Sequence, residues 1–163
     1  AMTLMVNAKT VHFCGVGASN IVAADAQQKL LRINKGATAF TDMHLVATLI
    51  ANADENDIVF AISFSGETPE VVNILKLAKE RGVKTIGLTH YGQTTVSSLC
   101  DATLFTSYSN EAPFRSAATS SRLAQLYMID ILFLGMASEQ YEETVQYIDN
   151  TRSAIKSMTD RYK

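Results

Sequence analysis

The chain has 163 residues, 47% of them apolar and 18% charged, with a formal net charge of −2 and a pI near 5.9. That length fits one domain with one full core. The slightly acidic balance excludes nucleic-acid binding by charge alone.

The start, Ala1-Met2-Thr3-Leu4-Met5, has neither a basic region nor a long apolar run, so no secretory signal is expected and a cytoplasmic location is. The first predicted strand is 10–14, Thr10-Val11-His12-Phe13-Cys14. It runs into Gly15-Val16-Gly17-Ala18-Ser19, and helical spacing follows over 20–33. A second strand is predicted over 37–40, and Asp42 caps a helix running to about residue 53. The third strand, 57–63, leads into the turn Ser63-Phe64-Ser65-Gly66-Glu67-Thr68 and a helix to Arg81, with Gly82 as its stop. Strands at 83–89 and 102–107 follow, then two long helices over 115–137 and 139–159. The strands are continuous apolar runs rather than alternating ones, as in a parallel sheet covered on both faces. Strands alternating with helices predict right-handed βαβ units. The fold class expected is therefore α/β, a three-layer α/β/α sandwich on a five-stranded parallel sheet. The apolar stretch 123–137 contains Gln125 and Asp130 and is shorter than the ~20 residues that cross a bilayer. It reads as a buried helix, and no membrane partner is expected.

In such a sheet ligands bind at the carboxyl ends of the strands, where strand order reverses. Two Gly/Ser turns fall at those ends. In the second, Thr68 suits an N-cap, Pro69 the first helical position and Glu70 the positive end of the dipole. The free N–H groups of that helix start form an anion site, to which Ser63, Ser65 and Thr68 add hydroxyls while Gly66 permits close approach. No Lys or Arg lies inside the motif, so a phosphate there is held by hydrogen bonds and dipole. The competing reading is a Ser-rich capped turn without a ligand. In the first turn a dinucleotide fingerprint would need a third glycine where Asn20 stands, so no nicotinamide cofactor is expected; Asp42 is better explained as a helix cap.

Glu111, just past the last strand, could accept hydrogen bonds from sugar hydroxyls, act as a base, or be a solvated loop acid. Arg115 and Arg122 bracket a small-residue run that suits close helix packing or a subunit contact, or an arginine reaching a phosphate or carboxylate. His12 reads as structural and His44 as capping or solvated, while His90 follows the fourth strand on the crevice side. No histidine sits at metal-ligand spacing, so no metal is expected. Cys14 and Cys100 read as reduced thiols, Cys14 in the core. The apolar helix over 115–137, with Leu126, Ile129, Leu132, Phe133 and Met136 on it, carries more apolar surface than one sheet face needs, which predicts a homodimer or tetramer with this helix or the run after Glu111 near the contact.

The pair Gly15-x-Gly17-x-Ser19 and Ser63-x-Ser65-Gly66-x-Thr68 resembles the sugar isomerase (SIS) domain, and the likeness runs from the first strand to the last helices. Lys29-Leu30-Leu31-Arg32-Ile33 and Ser121-Arg122-Leu123-Ala124-Gln125-Leu126 narrow the resemblance to the effector domain of RpiR-family transcriptional regulators. It implies a flavodoxin-like strand order and a single SIS domain over 1–163. It also implies DNA binding only through an N-terminal helix-turn-helix domain absent from this chain, and a truncated helix before the first strand. The effector implied is a phosphorylated sugar. Its ligand residues would be Gly17, Ser19, Ser63, Ser65, Gly66, Glu67, Thr68 and Glu111, with no catalytic residue and no cofactor. The alternative is a stand-alone phosphosugar isomerase, for which Glu111 and His90 are the one plausible acid–base pair.

Overall fold

The computed structural model describes residues 1–107 and 119–160. Five parallel strands form one sheet: β1 (Thr10–Gly15), β2 (Gly36–Ala39), β3 (Asp57–Ile62), β4 (Lys84–His90) and β5 (Ala102–Thr106), in the order β2-β1-β3-β4-β5. The helices are α1 (Met2–Asn7), α2 (Ala18–Arg32), α3 (Met43–Ile50), α4 (Pro69–Glu80), α5 (Thr95–Leu99), α6 (Ser120–Glu139) and α7 (Tyr141–Asp160). The expected α/β sandwich is what the chain forms. Two cores explain why its strands are apolar without alternation. On β3, Ile58, Phe60 and Ile62 join a cluster with α2 and α6, while Val59 and Ala61 join the opposite one with α3 and α4. Every residue of β3 is buried. Phe13 and Phe60, partners across β1 and β3, pack with ring centroids 5.1 Å apart. Aromatic pairs at that spacing add roughly 0.5–1.5 kcal/mol beyond their buried area.

Strand bounds fall within one residue of the expected ones, which is the scatter of hydrogen-bonded ends. Two short helices have causes of their own. α1 is a short helix before β1, held because Met5 is buried and the Lys35 ammonium reaches the carbonyls of Val6 and Ala8. α5 went unread; its signal is the capping box at Thr94 and Ser97, each side chain bonding the other's backbone N–H. The helix expected over 115–137 begins, among the described residues, at Ser120; 115–118 lie outside them, as does Glu111. α6 and α2 are joined by Lys29, whose ammonium sits 2.5 Å from both Asp25 and Asp130.

α6 is apolar on two sides. Ile129, Leu132 and Met136 face the core, whereas Leu123, Tyr127 and Leu134 are each more than 60% exposed on the outer side. No helix among the described residues is long and apolar enough to cross a membrane.

Candidate functional site

β1 and β3 are neighbours, and β2 and β4 lie on their far sides, so strand order reverses between them. Gly15 pairs with Ile62 at the carboxyl ends of the two strands. The turns that follow, residues 15–19 and 63–68, therefore open beside each other at one switch point. A flavodoxin-like order is expected to set the first and third strands side by side with both turns at one crevice, and the sheet has that order.

The second turn is tied down from below. The Ser63 and His90 N–H groups donate to the carbonyls of Leu88 and Phe64, at 3.0 Å each, which carries the β3–β4 ladder past the strand end. The Thr89 hydroxyl adds a bond to the Phe64 carbonyl at 3.2 Å. Gly66 has φ +69°, and a Cβ on it would lie 2.4 Å from Thr94 and 2.7 Å from the Thr89 hydroxyl. Only glycine meets both conditions. Its carbonyl accepts from the Val96 N–H at 3.0 Å, so α5 braces the turn.

The hydroxyls divide into two kinds. Ser63 is 2% exposed; its Oγ accepts from the Gly66 N–H at 3.1 Å and shares a hydrogen bond with Thr68 Oγ1 at 2.8 Å. Ser63 thus shapes the turn from inside. Ser65 is exposed, and its Oγ accepts from the Glu67 N–H at 3.2 Å. Thr68 stands at the N-cap of α4 as expected, yet its side chain makes no cap bond because Ser63 holds it. The capping expectation is corrected here: the N–H groups of the first turn of α4 are not taken by their own cap and stay available to an anion. Glu67, whose charge opposes an anion there, is turned to α5. Its carboxylate accepts from the Thr95 N–H at 2.7 Å and the Thr95 hydroxyl at 2.6 Å. Those bonds, the hydroxyl's first, hold the Glu67 carboxyl below its ordinary range.

In the first turn, Gly17 has φ +59° with open space where a Cβ would be. Ser19 is half-buried and lies over Gly15, where a Cβ would meet the Ser19 carbonyl oxygen at 2.8 Å. A hollow of about 270 Å³ opens beside this turn, toward β2. A larger one, about 400 Å³, lies between α2, α6 and α7, away from the strand ends. His90 closes the β4 end of the crevice; its Nδ1–H donates to the Tyr91 carbonyl at 2.8 Å. His44 is exposed in the first turn of α3. His12 is buried, with Nδ1 2.9 Å from the Thr38 hydroxyl and Nε2 3.7 Å from Asp57. Burial pushes the thiols of Cys14 and Cys100 up to about 12, so neither offers a thiolate at neutral pH.

A family model described as the SIS domain matches residues 4–135. The chain belongs to the SIS domain family. A relative in Bacillus subtilis, the uncharacterized HTH-type transcriptional regulator YbbH, is 68% identical over 158 residues, covering 97% of this chain and 56% of its own. The HTH-type transcriptional regulator RpiR of Escherichia coli K12 is 33% identical over 129 residues, covering 79% of this chain and 43% of RpiR. The chain spans about half the length of these curated relatives. Among solved structures, Vibrio vulnificus NanR complexed with ManNAc-6P superposes with a TM-score of 0.87 at 30% identity, over 96% of this chain and 59% of NanR. The sugar isomerase domain of an RpiR transcription factor from Sphaerobacter thermophilus gives 0.83 at 20% identity, over 93% of this chain and 83% of that one, and shows the shared fold.

Proposed function

We propose that this SIS domain binds a phosphorylated sugar at the junction of the two turns and serves as the effector-sensing part of a longer RpiR-family transcriptional regulator. The observation that carries the reading is the start of α4. Its first-turn donors are left uncapped, the exposed Ser65 hydroxyl lies beside them, and Glu67 is held aside by Thr95. A dianionic phosphate completes that arrangement without a cationic side chain. The sugar extends over Gly17 and Ser19 of the first turn. NanR, solved with ManNAc-6P, supports the ligand class, and the relatives named as HTH-type regulators support the role.

A few charge-assisted hydrogen bonds at ~1.5–3 kcal/mol each, set against the cost of association, place affinity between about micromolar and millimolar. That range suits a sensor of metabolite level. DNA contact belongs to a helix-turn-helix domain outside this chain, and the working location is the cytoplasm. The domain assembles at least as a dimer through the outer face of α6, where Leu123, Tyr127 and Leu134 stand exposed. The sensor reading makes the domain a binding module and not an isomerase, which the relatives named as transcriptional regulators support.

Titration calorimetry with a panel of sugar phosphates tests the reading, with Ser65→Ala as control. Wild type is expected to bind at least one compound, and Ser65→Ala to bind it about fivefold to tenfold more weakly at an unchanged melting temperature. Equal affinity in the variant, or turnover between aldose and ketose phosphates by wild type, would overturn it.

A further inference from the structure

The crevice does not end at the phosphate position. On its β2 side lies the hollow of about 270 Å³, lined by Val16, Gly17, Asn20, Thr41, Met43 and Glu70. Three separate pieces of chain meet there: the β1–α2 turn running into the first turn of α2, the segment leading into α3, and the first turn of α4. Glu70 is exposed and acceptor-only when ionised, and Thr41 is exposed with a hydroxyl that both donates and accepts. Asn20 brings an amide whose Oδ1 is fully buried and has no hydrogen-bond partner. An orphaned buried acceptor is uncommon and calls for a donor. Turning that amide into the hollow breaks no bond its oxygen makes within the protein. Gly17 keeps the rim open, with no atom within 4 Å of where a Cβ would stand.

Glu70 is out of place if the crevice serves only a phosphate. A carboxylate in the first turn of α4 benefits from the helix dipole, but it also opposes a dianion bound at the same helix start. The opposition is offset if the remainder of the ligand presents hydrogen-bond donors to that carboxylate. We propose that the hollow is the selectivity subsite of the crevice: Glu70, Asn20 and Thr41 take the donor groups of the sugar while its phosphate stays on α4. This rests on the phosphosugar reading above and adds the residues that discriminate among ligands. A site built to satisfy hydroxyl or N–H donors rejects ligands lacking them, because its own polar groups are then left unpaired.

The test separates the two ends of the ligand by calorimetry on the whole chain. The probes are inorganic phosphate, glucose 6-phosphate, glucosamine 6-phosphate and N-acetylglucosamine 6-phosphate. The expected result is that Glu70→Ala and Asn20→Ala each weaken the tightest sugar phosphate about tenfold. Inorganic phosphate binding to Glu70→Ala stays equal or tightens, since a like charge has been removed. Ser65→Ala, by contrast, weakens phosphate and sugar phosphates together. If both hollow variants keep wild-type affinity for every sugar phosphate, the subsite is refuted while the phosphate site stands. If Glu70→Ala tightens phosphate and sugar phosphates alike, the carboxylate opposes the dianion and reads nothing, which also refutes it. If wild type binds none of the probes, the phosphosugar reading falls and the subsite with it. Melting temperatures of both variants within about 3 °C of wild type show that the losses come from the hollow and not from the fold.

Discussion

Gly66 is where fold and site depend on one atom's absence, and Gly66→Ala measures how much. Three costs add. Alanine in the left-handed region costs roughly 1–2 kcal/mol. The new methyl would stand 2.4 Å from the Cβ and Oγ1 of Thr94 and 2.7 Å from Thr89 Oγ1, contacts that must open by about an ångström. Overpacking of that kind costs roughly 1–3 kcal/mol. Thr94 is also the cap of α5, accepting from the Ser97 N–H at 3.1 Å, and its displacement forfeits part of a cap worth about 0.5–2 kcal/mol. The total is about 2.5–7 kcal/mol, which at 2–4 °C per kcal/mol for a chain of this size lowers the melting temperature by roughly 5–28 °C. Gly82→Ala is the control. Its φ is +71°, close to that of Gly66, and it follows the end of α4 where a left-handed residue is usual, but nothing lies within 4 Å of its Cβ position. It should cost only about 1–2 kcal/mol. Scanning calorimetry on both variants decides the matter. Equal shifts would show that the close approach to Thr94 and Thr89 contributes nothing, and the bracing of the turn by α5 would be wrong.

Ser63→Ala should lower stability by about 1–2 kcal/mol in urea unfolding, because it strands the Thr68 hydroxyl and removes one acceptor from the Gly66 N–H; a shift near zero would remove Ser63 from the turn's framework. Burial holds the His12 imidazole below its ordinary value, with Asp57 opposing. The folded state then binds fewer protons than the unfolded one, so stability is full above about pH 6.5 and falls as pH drops below it. His12→Gln should flatten that fall in denaturant midpoints between pH 7.5 and 5.5; an identical slope in the variant would contradict it. Sedimentation at micromolar concentration should give a dimer or larger species, and Tyr127→Glu with Leu134→Glu should yield monomer; a monomeric wild type would leave the outer face of α6 without its partner.

The sequence by itself determined the fold class, because unbroken apolar strands between amphipathic helices have few other arrangements. It determined the positions of both Gly/Ser turns for the same reason, since each falls where a strand's period gives way to a helix's. It marked Thr68-Pro69-Glu70 as a helix start, and α4 begins there. What it did not determine is which groups at that start are free. Thr68 reads as a cap, and only the packing of Ser63 beneath it shows that its hydroxyl is spent elsewhere. Glu67 reads as one more residue of the motif, and only α5, a helix of five residues, shows where its carboxylate goes. The hollow beside Asn20 is a tertiary product altogether: Thr41 and Glu70 are far apart in the chain and meet because β1 carries β2 on one side and β3 on the other. Periodicity records how each segment buries itself, whereas the partner of a polar atom is set by which segments the sheet brings side by side.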